Sequence, residues 1–559
     1  MTERRWVAGL LLLVVGVSML PADTPWGSLV GDPLGETDNH LWMFWREGQL
    51  LSGDGGALAN APEGVSIPLM DPVNLPIYLL LSPLGPVLAY NGMAAFSVML
   101  SGIGAYVLAR QFVDARSAGV ALVAGGSAPF LAGVIDFGIT ESWPIGWFGI
   151  HAALLIHFAR TGRLSAATGA GVSLGLVALS GWYHALLGLT LEAMLVPALL
   201  IRHRRIGIVA QGAIALAMVM PSLVQFLSIR DQWRPRWLAP APGPPGPRPD
   251  WAELPIYGTD LLNLFLPSLS AVHPSKAVYI GVVVLALCAW GLWRRARSAG
   301  WLLLLAAVPL LLSLGYWPTV AGYAVGLPGP AWLLVKAAPE LQGLSHWHRA
   351  AAAAVPFLAA AAAIGAAELP ARGGLLAALI GLILVDSALL SQTAWPRTAY
   401  PITLPQSLAE LPGRGGVIQV PFDNSREMFS ETPARIYSRW QVIHGRQIAE
   451  NYEGVDALLA RSALVAAAQA ACWNRNTLPP YYQPPPEMRD PEPPQTPEAI
   501  AAAVAQLDAW GFEWIVLHRD RCRVPARAIP LLDDLLGPGL RFDSGDVAWK
   551  ILGAQGVGE

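Results

Sequence analysis

Apolar residues run along this chain in long, nearly unbroken stretches, without the alternation of half-buried strands. Eleven stretches approach the roughly 20 residues that a helix needs to cross a bilayer core. They are residues 5–21, 87–110, 116–135, 142–160, 164–181, 183–201, 206–229, 276–293, 299–316, 349–369 and 373–392. Residues 73–86 (VNLPIYLLLSPLGP) are apolar but short and broken by proline, and predict a re-entrant or interfacial piece. The first stretch is predicted to remain as a helix, because the PADTPWGS that follows it offers a poor small-x-small cleavage site.

The polar breaks between these stretches alternate in character. With residues 2–5 on the cytoplasmic side, short basic loops fall at Arg110 and Arg116, Arg160 and Arg163, Arg202, Arg204 and Arg205, Arg294, Arg295 and Arg297, and Arg372. The opposite loops, 22–86, 136–141, 230–275 and 317–348, are mostly long and hold most of the acids of the first 400 residues. Basic residues gather on the cytoplasmic side of membrane proteins. Eleven spans satisfy that rule and put the carboxyl-terminal part outside; ten or twelve break it. Within one external loop, residues 235–250 (PRWLAPAPGPPGPRPD) predict an extended, partly stiff segment.

From about residue 400 the pattern changes. Gly416–Val420 (GVIQV), Phe512–His518 (FEWIVLH) and Val547–Leu552 read as strands, and Asp456–Ala471 and Pro497–Trp510 as helices with Ala-rich faces. Residues 479–497 (PPYYQPPPEMRDPEPPQTP) read as a mobile linker. The expected fold is a multi-pass α-helical membrane domain over 1–399, followed by a small extracytoplasmic α/β domain of three or more strands over 400–559.

Composition sharpens this division. Charged residues make up 13% of the chain, against about 25% in soluble domains. Residues 401–559 carry 33 of the 75 charged side chains, so lipid is expected around the first part and water around the second. A soluble single-domain enzyme is excluded. A net charge of −3 without a dense basic run excludes a nucleic-acid partner. Three cysteines exclude a disulfide scaffold and a CxxC metal or redox site. Cys288 lies in an apolar stretch and is expected to be inert. Cys472 and Cys522 both fall in the water-facing part and are a candidate disulfide if that part is extracytoplasmic.

Candidate chemistry gathers on the external side. Glu36 and Asp38 stand two apart in GDPLGETDNHLWMFW (31–45), just before an amphipathic stretch with Trp42, Phe44 and Trp45. Such a stretch lies along a membrane surface, which brings the carboxylates to headgroup level, where one of them can take a proton from an attacking hydroxyl. The same acids also suit a helix start, with Thr37 or Asp38 as N-cap. Asp136 and Glu141 bracket the turn after the third span. Tyr183 and His184 lie in SGWYHALLG (180–188). Tyr257, Asp260 and His273 lie in PIYGTDLLNLFLPSLSAVHP (255–274), and His346, His348 and Arg349 in LSHWHRAAAA (344–353). Each alone suits an interfacial anchor. Their concentration on one side, from five separate loops, predicts a cavity. The HxH of His346 and His348 also suits zinc, but no third ligand stands near it in sequence. Glu192 and Asp386 are among the few mid-span acids, and no inverted repeat of broken helices points to a transporter.

The acidic-x-acidic motif Glu36-Thr37-Asp38 before an aromatic surface helix resembles the GT-C superfamily of membrane glycosyltransferases. GDPLGETDNHLW, SGWYHALLG and GTDLLNLFLPS with a following HP resemble a bacterial branch of it, as do VIQVPF (417–422), YSRWQVIHGRQIAENYEG (437–454) and WIVLH (514–518) in the tail. The resemblance implies a bacterial inner-membrane enzyme. Such an enzyme transfers a sugar from a polyprenyl-phosphate donor to an acceptor hydroxyl of a glycan, lipid or protein, externally and with inversion. It implies Asp38 as base, Glu36 in support, and a cationic contact to the leaving lipid phosphate. Arg349 with His346 or His348 is the first choice for that contact, and Arg230, Arg234 and Arg236 the second. The SHWHRA here departs from the R-x-P-x-R expected at this position. A divalent cation is left open. The alternative is a non-catalytic accessory or transporter for envelope glycan or lipid, with a glycan-binding tail.

Overall fold

A computed structural model describes every residue except 1, 20–26, 34, 54–70, 202–204, 230–257, 267–277, 340, 342–343, 345, 371–372, 392, 394, 422–432, 450–461, 473–493 and 552–559. The described residues form two compact units, one within 1–37, 68–230 and 241–400, the other within 38–67 and 401–559.

The first unit begins with α1 (Glu3–Met19) and β1 (Ser28–Val30), and reaches the start of α2 (Thr37–Ser52), which from Asp38 onward belongs to the second unit. It continues through α3 (Leu75–Leu81), α4 (Pro86–Ala109), α5 (Ala115–Gly126), α6 (Pro129–Phe137), α7 (Gly146–Thr161), α8 (Leu164–Ser180), α9 (Trp182–Ile201) and α10 (Arg205–Ile229). After α11 (Val282–Arg294) and α12 (Ala296–Ser313) come a hairpin of β2 (Thr319–Val320) and β3 (Tyr323–Ala324), then α13 (Pro330–Ala337). A 3₁₀ segment (Trp347–Ala354) leads into α14 (Val355–Ala367). The unit closes with α15 (Gly373–Val385), continued as a π-turn, and β4 (Ala399–Pro401), which pairs with β1.

Each of the eleven apolar stretches is helical over most of its described length. Among the described residues, six helices are long and apolar enough to cross a membrane: Pro86–Ala109, Ala115–Phe137, Arg205–Ser228, Ala296–Ser313, Trp347–Ala367 and Gly373–Leu390. Ile206, Val209, Leu216 and Val224 of α10 are exposed, a face suited to lipid. The chain is a membrane protein.

Two helices depart from the simple pattern for local reasons. The third stretch breaks at Ser127–Ala128, because Pro129 has no N–H to donate back into the preceding turn. Ser127 closes α5 there, its backbone N–H and hydroxyl both donating to the Val123 carbonyl. The eighth stretch becomes α-helix only at Val282, after Gly281 in the left-handed region (φ 97°). Asp386 accepts hydrogen bonds there from the Val283 N–H and the Tyr279 hydroxyl, so this acid caps a neighbouring helix. The other mid-span acid, Glu192, lies 2.8 Å from His151 and accepts from Gln211.

The second unit holds α2 from Asp38, α16 (Gln406–Ala409), β5 (Gly416–Val420), α17 (Pro433–His444), α18 (Ala463–Cys472), α19 (Pro497–Ala509), β6 (Phe512–Leu517), α20 (Pro525–Leu536), β7 (Leu540–Arg541) and β8 (Val547–Lys550). The strands form a sheet in the order β5-β6-β8-β7, with β5 and β6 parallel and the other pairs antiparallel. Alternation along the strands sends Ile418, Val420, Ile515 and Leu517 to a core with α18 and α20. Val417, Trp514 and Val516 face Tyr437 and Trp440 of α17 on the other side. Both sheet faces are therefore covered. Cys472, the last residue of α18, is disulfide-bonded to Cys522, with Cα atoms 4.9 Å apart. Cys288 is free and buried.

Candidate functional site

In the first unit, polar side chains from four segments meet at Arg349, within the 3₁₀ entry to α14. Its Nη1 lies 2.5 Å from Glu141 Oε1, and its Cζ sits 5.5 Å from the centre of the Tyr183 ring. The Tyr183 hydroxyl accepts a hydrogen bond from the backbone N–H of His346 at 2.7 Å. Glu36 acts electrostatically on the same guanidinium. His184, the residue after Tyr183, is buried beside Phe148. Arg349 Nε and both ring nitrogens of His184 are buried without a hydrogen-bond partner among the described residues. His348 is buried, its ring centre 5.7 Å from that of His346.

Backbone contacts explain why these segments converge. α6 ends at Gly138, whose positive φ of 80° turns the chain back, and a Cβ there would strike Thr37. Asp32 and Glu36 lie on this turn, the Asp32 N–H donating to the Asp136 carbonyl and the Glu36 N–H to the Phe137 carbonyl at 2.6 Å. The short 3₁₀ turn Thr140–Ser142 then presents Glu141. Asp71 and Asn74 brace the same turn. Asn74 donates to both Asp71 oxygens, through its backbone N–H at 3.1 Å and its amide at 2.8 Å, and its amide also reaches the Thr140 carbonyl at 2.9 Å. Burial pushes the Asp71 carboxyl up to about 6.

Asp38 belongs to the second unit. It is 3% exposed and accepts a hydrogen bond from Arg439 of α17 at 3.2 Å. One turn further along α2, Trp42 Nε1 donates to Gln441 at 2.6 Å. Thr37 and Asp38 are the first two residues of α2.

Two candidates are engaged elsewhere in the first unit. Asp136 is buried and paired with Arg397 at 2.8 Å. Asp260 accepts from the N–H groups of Leu262, Ala321 and Gly322, at 2.9, 3.1 and 2.7 Å. It thereby secures the β2–β3 hairpin, where Ala321 has a positive φ of 53°. Arg230, Arg234, Arg236, Tyr257 and His273 lie outside the described residues, as do Arg202, Arg204, Arg372 and the 235–250 segment. Among the described residues, no group of three or more His, Cys, Asp or Glu side chains is placed to hold a metal ion.

Arg397, Arg439 and Gln441 were not singled out from sequence. Arg397 carries a signal in hindsight: it is a basic residue just past the last predicted span, on the side expected to be external, which suggests a buried acidic partner. Arg439 and Gln441 lie in the YSRWQVIHGRQ segment, but nothing in their spacing marks them as neighbours of α2.

No family model matches the chain, and no curated protein does. Among solved structures, the chain is similar to ArnT from Cupriavidus metallidurans in the apo state, at 15% identity and a TM-score of 0.44, covering 98% of each chain. It is similar to the same protein bound to undecaprenyl phosphate at 14% identity and a TM-score of 0.43, again covering 98% of each chain. A third similarity is to the Archaeoglobus fulgidus oligosaccharyltransferase in the apo form. That one has 11% identity and a TM-score of 0.45, and covers 92% of this chain and 69% of the other.

Proposed function

We propose that this protein is a membrane glycosyltransferase of the bacterial inner membrane. It moves a sugar from a polyprenyl-phosphate donor to an acceptor hydroxyl on the extracytoplasmic face. The observation that carries this reading is the buried Arg349. Glu141 and Tyr183 hold its guanidinium, while its Nε and the neighbouring His184 nitrogens have no partner among the described residues. Buried polar groups need hydrogen-bond partners, and a phosphate oxygen supplies acceptors for an arginine. The sequence resemblance carried by Glu36-Thr37-Asp38 supports the same reaction.

The acceptor oxygen attacks the anomeric carbon from the side opposite the phosphate, and its proton passes to the Asp38 carboxylate. The bond from the anomeric carbon to the phosphate oxygen breaks, and polyprenyl phosphate leaves. A single displacement inverts the configuration. Negative charge grows on the leaving phosphate, which is where a fixed guanidinium lowers the barrier. Glu36 supports through its charge on Arg349.

Lipid-linked sugar accumulating in membranes of cells that carry Arg349→Gln or Asp38→Asn, with acceptor modification lost, is the expected result. Normal transfer in both variants contradicts the reading.

A further inference from the structure

We propose that the carboxyl-terminal domain is part of the catalytic machinery, because its Arg439 is a positioning residue for the base Asp38. This rests on the glycosyltransferase reading above.

The argument begins at the sheet. His518, just past β6, is buried between Asp546 and Gln419, each at 3.2 Å. Asp546 also accepts from the Ser407 hydroxyl at 2.6 Å and the Arg519 N–H at 3.1 Å. Tyr437 and Trp440 of α17 lie with ring centres 5.3 and 5.1 Å from that of His518, and the Tyr437 hydroxyl donates to the Pro421 carbonyl. At the end of α17, Gln441 donates to the Arg446 carbonyl, while the Arg446 guanidinium donates to the Leu411 and Gly413 carbonyls. α17 is thus packed against His518 at the end of β6 through Tyr437 and Trp440, tied to the loop after β5 by the Tyr437 hydroxyl, and linked at its carboxyl end through Arg446 to the loop before β5.

From this fixed helix two side chains hold α2. Arg439 donates to Asp38 Oδ2, and Gln441 accepts from Trp42. Residues 38 and 42 lie on the same face of a helix, so the two bonds set both the position and the rotation of α2 at its first turn. The Arg439 hydrogen bond to Oδ2 restricts the position of the Asp38 carboxylate. A general base needs that geometry within hydrogen-bond reach of its proton, and small misplacements of a reacting group are costly in rate.

The test compares Arg439→Gln and Arg439→Lys in purified full-length protein against wild type. It measures kcat, donor KM and thermal unfolding, with Asp38→Asn and the Asp38→Asn/Arg439→Gln double variant completing an unfolding cycle. The expected result is a kcat loss of about tenfold or more in the Gln variant with donor KM little changed. Lys is expected to restore most of that kcat, and the unfolding shifts of the two single variants to be non-additive. Wild-type kcat in the Gln variant overturns the proposal, and so does a Lys variant as impaired as Gln. Additive unfolding shifts overturn it without reference to activity, which covers a Gln variant that folds poorly. Absence of transfer in the wild type instead overturns the glycosyltransferase reading itself.

Discussion

Asp38 and Arg439 stand 401 positions apart in the chain and 3.2 Å apart in the fold. The first-loop acid is therefore held by a helix of the tail, and the second unit reaches back to take in α2. The other half of the predicted chemistry, Glu36 with Glu141, Tyr183 and Arg349, is assembled within the first unit by the Gly138 turn.

Arg349 is expected to resist even conservative replacement. Lysine cannot both hold the Glu141 carboxylate and present a planar guanidinium over Tyr183. Arg349→Lys should lower transfer by about tenfold or more, equivalent to about 1.4 kcal/mol or more of lost transition-state stabilisation. Steady-state kinetics alongside thermal unfolding separate this loss from misfolding.

The Arg397–Asp136 pair is buried on both sides. Arg397→Met leaves the Asp136 carboxylate buried without its cation, at a cost of about 3–5 kcal/mol. Adding Asp136→Leu should recover most of that loss, because neither charge is then buried alone. Unfolding of detergent-solubilised protein reads both effects.

Asp71 sets a pH dependence of known sign. Burial keeps its carboxyl protonated up to about 6 in the folded protein, whereas an unfolded aspartate ionises near pH 4, at about 3.9. Between these values the folded state binds the extra proton. The contribution is full below about pH 4, declines as pH rises to about 6, and is flat above, totalling about 3 kcal/mol. Asp71→Asn should flatten that slope in a series of unfolding temperatures from pH 4 to 7, and an unchanged slope contradicts the assignment.

The disulfide between Cys472 and Cys522 spans 50 residues, so reduction frees a long loop of the unfolded tail. Replacing both cysteines with serine should lower the stability of that unit by about 2–4 kcal/mol. Because such bonds persist in oxidising compartments, the bond should also shift electrophoretic mobility on reduction of protein taken from intact cells. A tail facing the cytoplasm would show no shift.

Much of the fold was legible because lipid imposes one simple demand, long apolar helices: each of the eleven stretches is helical over most of its described length, and among the described residues six helices are long and apolar enough to cross a membrane. The exceptions had local causes that a hydropathy reading smooths over, namely Pro129 and the Gly281–Asp386 cap. The two-residue strand β7 was too short to show periodicity. The site was legible as a set of polar residues on one side, but not as a map of contacts. Asp260 looked like a pocket acid because its three backbone donors come from a distant hairpin as well as its own turn. Asp38 and Glu36, two residues apart, turned out to be held by different partners, because a helix begins between them. Pairings such as Asp38 with Arg439 arise from tertiary packing, and no local spacing encodes them.

The central claim is sugar transfer with Asp38 as base, and the most direct measurement is the rate of transfer from polyprenyl-phosphate donor to acceptor in membranes carrying Asp38→Asn combined with Glu36→Gln. A fall of about a hundredfold or more is predicted from the loss of general-base catalysis, with donor accumulating and the protein still folded. Transfer at the wild-type rate would contradict the account.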